Sequence, residues 1–188
     1  MSKSTEKPAF IGVDWGTSSF RAWLLAPSGT VLESTHGPWG ISQITGTSFR
    51  QILLEAVGSW LGEYTDLPIL MCGMIGSAQG WHEAGYLTGT VGVDELAAGA
   101  VRIADSQLTL YIVPGIKGIS ADGHNDVMRG EETLLAGGFL RQEGLEPNWS
   151  VAAPGTTALD ALVDGSAHVV QSALSQGFTT LELSLIHI

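Results

Sequence analysis

A chain of 188 residues with 44% hydrophobic side chains and 25 glycines is long enough for one full α/β domain and part of another. A formal net charge of −11 weighs against nucleic acid or an anionic membrane as partner. Cys72 alone excludes a disulfide framework and a cysteine-based metal site, and no apolar run is long enough to span a bilayer, so the expected address is the cytoplasm.

The opening is polar from Met1 to Pro8 and lacks the apolar stretch of a signal peptide, so residues 1–9 are expected to be flexible. Phe10 to Val13 is a short apolar run that predicts a buried strand, and Phe20 to Leu25 predicts a second. Pro27-Ser28-Gly29 turns the chain into a third strand over Val31 to Thr35. From Ser48 to Tyr64, Phe49, Ile52, Leu53, Ala56, Val57, Trp60 and Leu61 recur at helical spacing, with Thr47 or Ser48 as cap. Pro68 to Cys72 predicts a fourth strand that buries Cys72, and the glycine-rich Gly73 to Trp81 reads either as a flexible connection or as a ligand loop at the C-terminal end of that strand. A short helix is predicted over Asp94 to Ile103, a fifth strand over Leu108 to Pro114, and a helix over Asp126 to Arg141 that starts at Asn125-Asp126. A new strand set then begins at Trp149 to Ala153, and Asp164-Gly165 turns into Ala167 to Val170.

Three places carry chemistry. Between the first two strands, Asp14 stands at a strand end, Gly16 permits unusual backbone geometry, and Thr17, Ser18 and Ser19 offer hydroxyls and N–H groups to an anion. A carboxylate beside bound phosphates is suited to holding hydrated magnesium. Neither G-x-G-x-x-G after the first strand nor G-x-x-x-x-G-K-[ST] occurs, and this turn joins strand to strand where those motifs open a helix. Ala153-Pro154-Gly155-Thr156-Thr157 is a second turn of the same kind, and Ser120 to Thr133 holds the densest set of ionisable groups. On the residues alone, a hairpin with a polar tip explains the first turn as well as a phosphate site does, and a capping acid explains Asn125-Asp126.

The first turn resembles the phosphate hairpin of the superfamily that contains actin, the hexokinases and many sugar kinases. Five ordered blocks narrow the resemblance: G-V-D-W-G-T-S-S-F-R-A-W, G-P-W-G-I, G-M-I-G-S-A-Q-G-W, S-A-D-G-H-N-D-V-M-R-G-E-E-T and the P-G-T turn. Together they are similar to the 2-dehydro-3-deoxygalactonokinase family from about Phe10 to Leu181. That resemblance implies an α/β, actin/hexokinase-like (ribonuclease H-like) domain with a mixed five-stranded sheet over residues 10–147, and the first strands of a second, similar domain over 148–182. It implies transfer of phosphate from ATP, with Mg2+, to the terminal hydroxyl of 2-dehydro-3-deoxy-D-galactonate. Asp126 is then the expected base, with Asp122 as runner-up, and Asp14 holds magnesium. Gly16, Thr17 and Ser18, with Gly155, Thr156 and Thr157 at the second turn, contact phosphates. Arg129 pairs with the substrate carboxylate, or else with Glu131 or Glu132 on a helix surface. Trp39, Gln79 and Trp81 shape the sugar-acid pocket, with core packing as the other duty of the tryptophans. A non-catalytic sugar-acid or nucleotide sensor and an exopolyphosphatase-like hydrolase are the alternatives.

Two departures from the family pattern stand out. The second turn continues as Thr157-Ala158-Leu159-Asp160 where the family has P-G-T-H-S-K-W, so a histidine and a lysine are missing. The family's second domain is also longer, and Leu183 to Ile188 resembles the translation of a transposon-derived sequencing adapter. The expectation is therefore that the 188-residue chain by itself does not turn over as a kinase.

Overall fold

The structure is a computed structural model, and it describes residues 6–119, 125–133 and 148–149. The described residues divide into two compact units, one within Met1–Gly85 and Gly99–Pro114, the other within Tyr86–Ala98 and Gly115–Ile188.

The first unit is a mixed α/β layer. Its strands are β1 (Phe10–Trp15), β2 (Phe20–Leu25), β3 (Val31–Gly37), β4 (Ile69–Cys72), β7 (Val101–Ile103) and β8 (Leu110–Ile112). They form one six-stranded sheet in the order β3-β2-β1-β4-β8-β7. Antiparallel pairing joins β1 to β2 and β2 to β3, whereas β1, β4 and β8 run parallel. The parallel strands therefore end on one edge of the sheet, where α/β folds place their ligand loops.

Ile11, Val13 and Trp15 alternate along β1 and are buried, as are Phe20, Ala22 and Leu24 along β2. Against this face packs α1 (Phe49–Glu63), through Ile52, Leu53, Val57 and Trp60. Ser48 caps α1 by accepting the Gln51 amide at 3.1 Å, as the periodicity and the cap residue predict. Trp60 closes the packing with an indole N–H donated to Glu33 at 2.8 Å. Cys72 is buried at the end of β4, as expected.

Three sequence expectations need correction. The predicted helix over Asp94 to Ile103 is shorter: α2 spans Val93–Gly99, and the chain then forms β7. Val101 and Ile103 pair with Ile112 and Leu110 of β8, and β-branched side chains at both positions fit that pleated edge better than a helix. This strand makes the sheet six-stranded where five were expected. Gly73 to Trp81 is no flexible connection either, since it contains a short 3-10 helix, Met74–Gly76, that buries Ile75. A Cβ at Gly80 would stand 2.1 Å from the Ile75 carbonyl oxygen, so only glycine lets the loop fold back on itself.

The second unit holds β5 (Tyr86–Thr88), β6 (Val91–Gly92), most of α2, β9 (Gly115–Ile119), β10 (Asn125–Met128) and β11 (Asn148–Trp149). A three-stranded sheet has the order β10-β9-β5, and β11 pairs with β6. Here lies the third correction, because Asn125-Asp126 opens a strand and not a helix. Asp126 pairs with Gly118 and Val127 with Lys117, and the chain becomes helical only at Glu131, after Gly130 turns it with φ +106°. Residues 134–141 of the predicted helix, and 150–153 of the predicted strand, lie outside the described residues.

Candidate functional site

The β1–β2 turn is held from three directions. Its own closure comes from the Gly16 amide, which donates to the Ser19 carbonyl at 2.9 Å. The segment after β3 grips it next: Ile41 and Ser42 amides donate to the Gly16 and Thr17 carbonyls, both at 3.0 Å, and the Ser42 hydroxyl donates to Thr17 O at 2.8 Å. Gly40 fits so closely under the turn that a Cβ there would lie 2.3 Å from the Thr17 carbonyl oxygen. With carbonyls engaged on one side, Thr17 and Ser18 stand exposed on the other, and an exposed, preformed turn with hydroxyls is what an anion site requires.

Asp14 is buried, with 7% of its surface exposed. The strand register sets it opposite Arg21 in β2, and Arg21 Nη2 donates to Asp14 Oδ2 in an ion pair. The other carboxylate oxygen faces Gly73, at the end of the neighbouring β4. Gly73 adopts φ +90°, and a Cβ on it would meet Asp14 Oδ1 at 3.2 Å and the Trp15 carbonyl at 2.8 Å. Glycine there keeps the space beside Oδ1 open. Arg21 Nε is buried and has no hydrogen-bond partner among the described residues, which leaves a charged N–H beside the same carboxylate.

Below the turn the aromatic residues connect. Trp15 donates its indole N–H to the Trp39 carbonyl at 2.6 Å and meets Phe20 edge-on, with ring centroids 4.8 Å apart. Trp39 is partly exposed and lies over Gly37, where a Cβ would come within 2.5 Å of its ring. Trp81 stacks on Phe49 at 6.3 Å, and Phe49 meets Trp15 edge-on at 5.7 Å. Both tryptophans thus support the turn through packing. Gln79 is exposed on the loop after β4.

Asp126 and Arg129 belong to the second unit. Asp126 is exposed on β10. Arg129 does not lie on a helix surface: it is buried just after β10, its guanidinium 4.1 Å from the centroid of the Tyr86 ring. Its backbone amide donates to the Glu131 carboxylate at 2.9 Å. Glu132 is fully buried and accepts the Gly130 amide at 2.7 Å, and burial raises its carboxyl above the usual range. Asp122, Gly155, Thr156 and Thr157 lie outside the described residues.

Sequence reasoning missed Arg21, Gly40, Gly73 and Tyr86. Arg21 had a readable signal, because a turn closed by Trp15 and Phe20 must set Asp14 opposite Arg21. The close fits of Gly40 and Gly73 involve segments remote in sequence, and nothing local announces them.

Fold and turn together define a mixed-sheet α/β protein whose candidate site lies at the C-terminal ends of parallel strands. The family model for 2-keto-3-deoxy-galactonokinase matches residues 14–174. DgoK1 of Rhizobium meliloti (strain 1021), named as a 2-dehydro-3-deoxygalactonokinase, is 41% identical over 131 residues, which cover 68% of this chain and 41% of the relative. The 2-dehydro-3-deoxygalactonokinase of Escherichia coli (strain K12) is 34% identical over 147 residues, covering 78% of this chain and 47% of its own. A crystal structure described as a 2-dehydro-3-deoxygalactonokinase protein from Sinorhizobium meliloti aligns with a TM-score of 0.61 at 39% identity, covering 69% of this chain and 43% of that one. The chain belongs to the 2-keto-3-deoxy-galactonokinase family. It spans less than half the length of the curated relatives it matches.

Proposed function

We propose that this chain carries the phosphate turn and sugar-acid contacts of a kinase that transfers phosphate from ATP to the terminal hydroxyl of 2-dehydro-3-deoxy-D-galactonate. The observation that carries the reading is the Asp14 turn: a buried carboxylate with one oxygen on Arg21 and the other facing glycine-made space, beside exposed Thr17 and Ser18. Family membership and the printed names of its relatives support the reaction. The hairpin strands followed by parallel strands support an actin/hexokinase-like layout.

Among the described residues no group of three or more His, Cys, Asp or Glu converges. A lone carboxylate does not make an all-protein cage, but its chemistry fits a magnesium ion held by one protein carboxylate together with the nucleotide. Asp14 would hold that ion, which would supply charge neutralisation on the transferring group. Gly16, Thr17 and Ser18 bind phosphate oxygens. Gly155, Thr156 and Thr157 serve as the counterpart turn.

In the transfer, the terminal hydroxyl oxygen bonds to the γ-phosphorus while the bond from that phosphorus to ADP breaks. Asp126 accepts the hydroxyl proton; exposed on a strand, it is reachable by substrate, although without the helix start that the sequence suggested. Arg129 is the partner of the sugar-acid carboxylate, and Trp39, Gln79 and Trp81 are the residues that serve sugar-acid recognition. No helix among the described residues is long and apolar enough to cross a membrane, which agrees with a cytoplasmic setting.

Titration of the chain with ATP, with and without Mg2+, followed by calorimetry tests the reading. Magnesium-dependent binding that Asp14→Asn weakens at least about tenfold is expected. Binding that ignores both magnesium and Asp14 would contradict it.

A further inference from the structure

At Gly29, Gly46, Gly85 and Gly89, φ lies between +68° and +87°, and a Cβ would meet nothing within 4 Å. Glycine there answers a demand of the backbone and nothing more. Gly73 differs. Its φ of +90° and ψ of −160° fall in a region essentially confined to glycine, and its Cβ position is occupied as well, by the Trp15 carbonyl oxygen at 2.8 Å and Asp14 Oδ1 at 3.2 Å.

Strand register produces this meeting. β4 runs parallel to β1 with Cys72 paired to Asp14, so the next residue, Gly73, comes level with Trp15. From there the chain turns away: the Gly76 amide donates to the Gly73 carbonyl at 3.0 Å, and the Trp81 amide donates to the Ile75 carbonyl at 2.9 Å, which folds the loop back on itself. Backbone therefore fixes Gly73 on both sides. Asp14 is fixed too, because Arg21 Nη2 donates to its Oδ2, while Oδ1 accepts no hydrogen bond among the described residues. Turning the carboxylate away from an intruding methyl would break the ion pair, so whatever occupies the Gly73 Cβ position stands against Oδ1.

We propose that Gly73 is a positioning residue for a divalent cation: by lacking a side chain it leaves Asp14 Oδ1 reachable, and a larger residue in its place excludes the ion. The inference rests on the reading of Asp14 as the carboxylate that holds magnesium. Magnesium sits about 2.0–2.1 Å from its oxygen ligands and demands nearly octahedral surroundings. A methyl carbon 3.2 Å from the same oxygen takes up room that the other ligands of such an ion need. Gly73 itself touches neither ion nor nucleotide; it acts through Asp14.

The test is calorimetric titration of the 188-residue chain with ATP, once with Mg2+ and once with EDTA. Gly73→Ala is expected to reduce the gain in affinity that magnesium gives by at least about tenfold, while affinity in EDTA stays within about threefold of the parent. Gly46→Ala, with the same sign of φ but open space around its Cβ, should leave both affinities unchanged, which separates backbone strain from closure of the site. Asp14→Asn combined with Gly73→Ala should bind magnesium-ATP no more weakly than Asp14→Asn alone, since both changes remove the same ion. Circular dichroism checks that each variant is folded. Should Gly73→Ala not fold, the parent with isotope-labelled glycine decides by nuclear magnetic resonance: manganese with ATP should broaden the Gly73 amide signal and spare that of Gly29, in the turn at the far end of β2, and the broadening should vanish with Asp14→Asn. A Gly73→Ala chain that keeps the magnesium gain, that loses as much affinity in EDTA as in magnesium, or that adds its loss to that of Asp14→Asn overturns the proposal, as does a Gly73 signal that manganese leaves sharp. If Asp14→Asn still loses the gain, only the role of Gly73 falls. A parent chain whose ATP binding ignores magnesium overturns the reading of Asp14 along with it.

Discussion

Replacing Gly40 by alanine should damage the β1–β2 turn from a position outside it. The backbone at Gly40, φ −62° and ψ 159°, is one that any residue adopts, so the effect is steric and not conformational. The new methyl would stand 2.3 Å from the Thr17 carbonyl oxygen and the same distance from the Ser18 carbonyl carbon. Both are main-chain atoms that no rotamer change can move, so the turn must retreat by about 1 Å. That displacement strains the Ile41 and Ser42 amide bonds to Gly16 and Thr17, and overpacking with two weakened hydrogen bonds costs about 2–4 kcal/mol. A turn misplaced by about 1 Å should also lose at least tenfold in affinity for nucleotide phosphates, roughly 1.4 kcal/mol or more. Gly58→Ala in α1 is the matched control: nothing lies within 4 Å of its Cβ, so it should gain up to about 1 kcal/mol from helix propensity and leave binding unchanged. Urea unfolding followed by tryptophan fluorescence gives the stabilities, and calorimetry gives the affinity. A Gly40→Ala chain as stable as the parent and binding magnesium-ATP equally well would refute the argument.

Other perturbations separate the remaining elements. Asp14→Ala should leave the sheet folded but less stable by about 1–3 kcal/mol, because Arg21 loses its acceptor among the described residues, and circular dichroism with urea unfolding will show whether the sheet survives. Arg50 pairs with Asp105 at 2.7 Å and, with the Gln107 amide, lowers the Asp105 carboxyl from 3.8 to about 2. A lowered folded value stabilises above the ordinary carboxylate pKa and is lost as pH falls toward about 2, so Arg50→Ala should cost about 1 kcal/mol at pH 7, after solvent screening, and almost nothing near pH 2. Glu132 is shifted the other way, so its share of stability is present at low pH and lost as pH rises. Glu132→Gln, which keeps an acceptor for the Gly130 amide, should therefore gain on the parent in urea unfolding as pH goes from 4 to 8; a gap that does not move with pH would count against burial as the cause. Asp126→Asn, in this chain joined to the part of the Rhizobium meliloti relative that it does not cover, should lower turnover by a factor of about a hundred or more with ATP affinity nearly unchanged; a mutant retaining most of its turnover removes Asp126 as the base.

Much of the first unit was legible because its signals are local. Apolar alternation in Phe10 to Val13 and Phe20 to Leu25, with Asp14 and a glycine-hydroxyl turn between, specifies a hairpin, and Ser48 followed by a 3.6-residue pattern specifies α1. Where the reading failed, the deciding partner was distant. Asn125-Asp126 has the chemistry of a helix cap, but its backbone is satisfied by β9, and no local feature of N-D-V-M outweighs the cap signal. Val101 to Ile103 follows an alanine-rich helix and was absorbed into it, although β8 offered a ladder for its β-branched side chains. The surface-pairing alternative for Arg129 fails for the same reason: with the helix placed too early, its burial against Tyr86 had no cause in the sequence. Glycine-rich Gly73 to Trp81 reads as flexible, because composition does not distinguish a glycine that frees the chain from one that lets two backbones touch.

The central claim, that these residues serve a sugar-acid kinase, is tested most directly by ADP release from this chain joined to the uncovered part of the Rhizobium meliloti relative, with ATP and Mg2+ present. Release that requires 2-dehydro-3-deoxy-D-galactonate, matches the phosphorylated sugar acid mole for mole and disappears with Asp14→Ala is the expected result. Release without the sugar acid would make the protein a hydrolase, and nucleotide binding without release would make it a sensor; either contradicts the account.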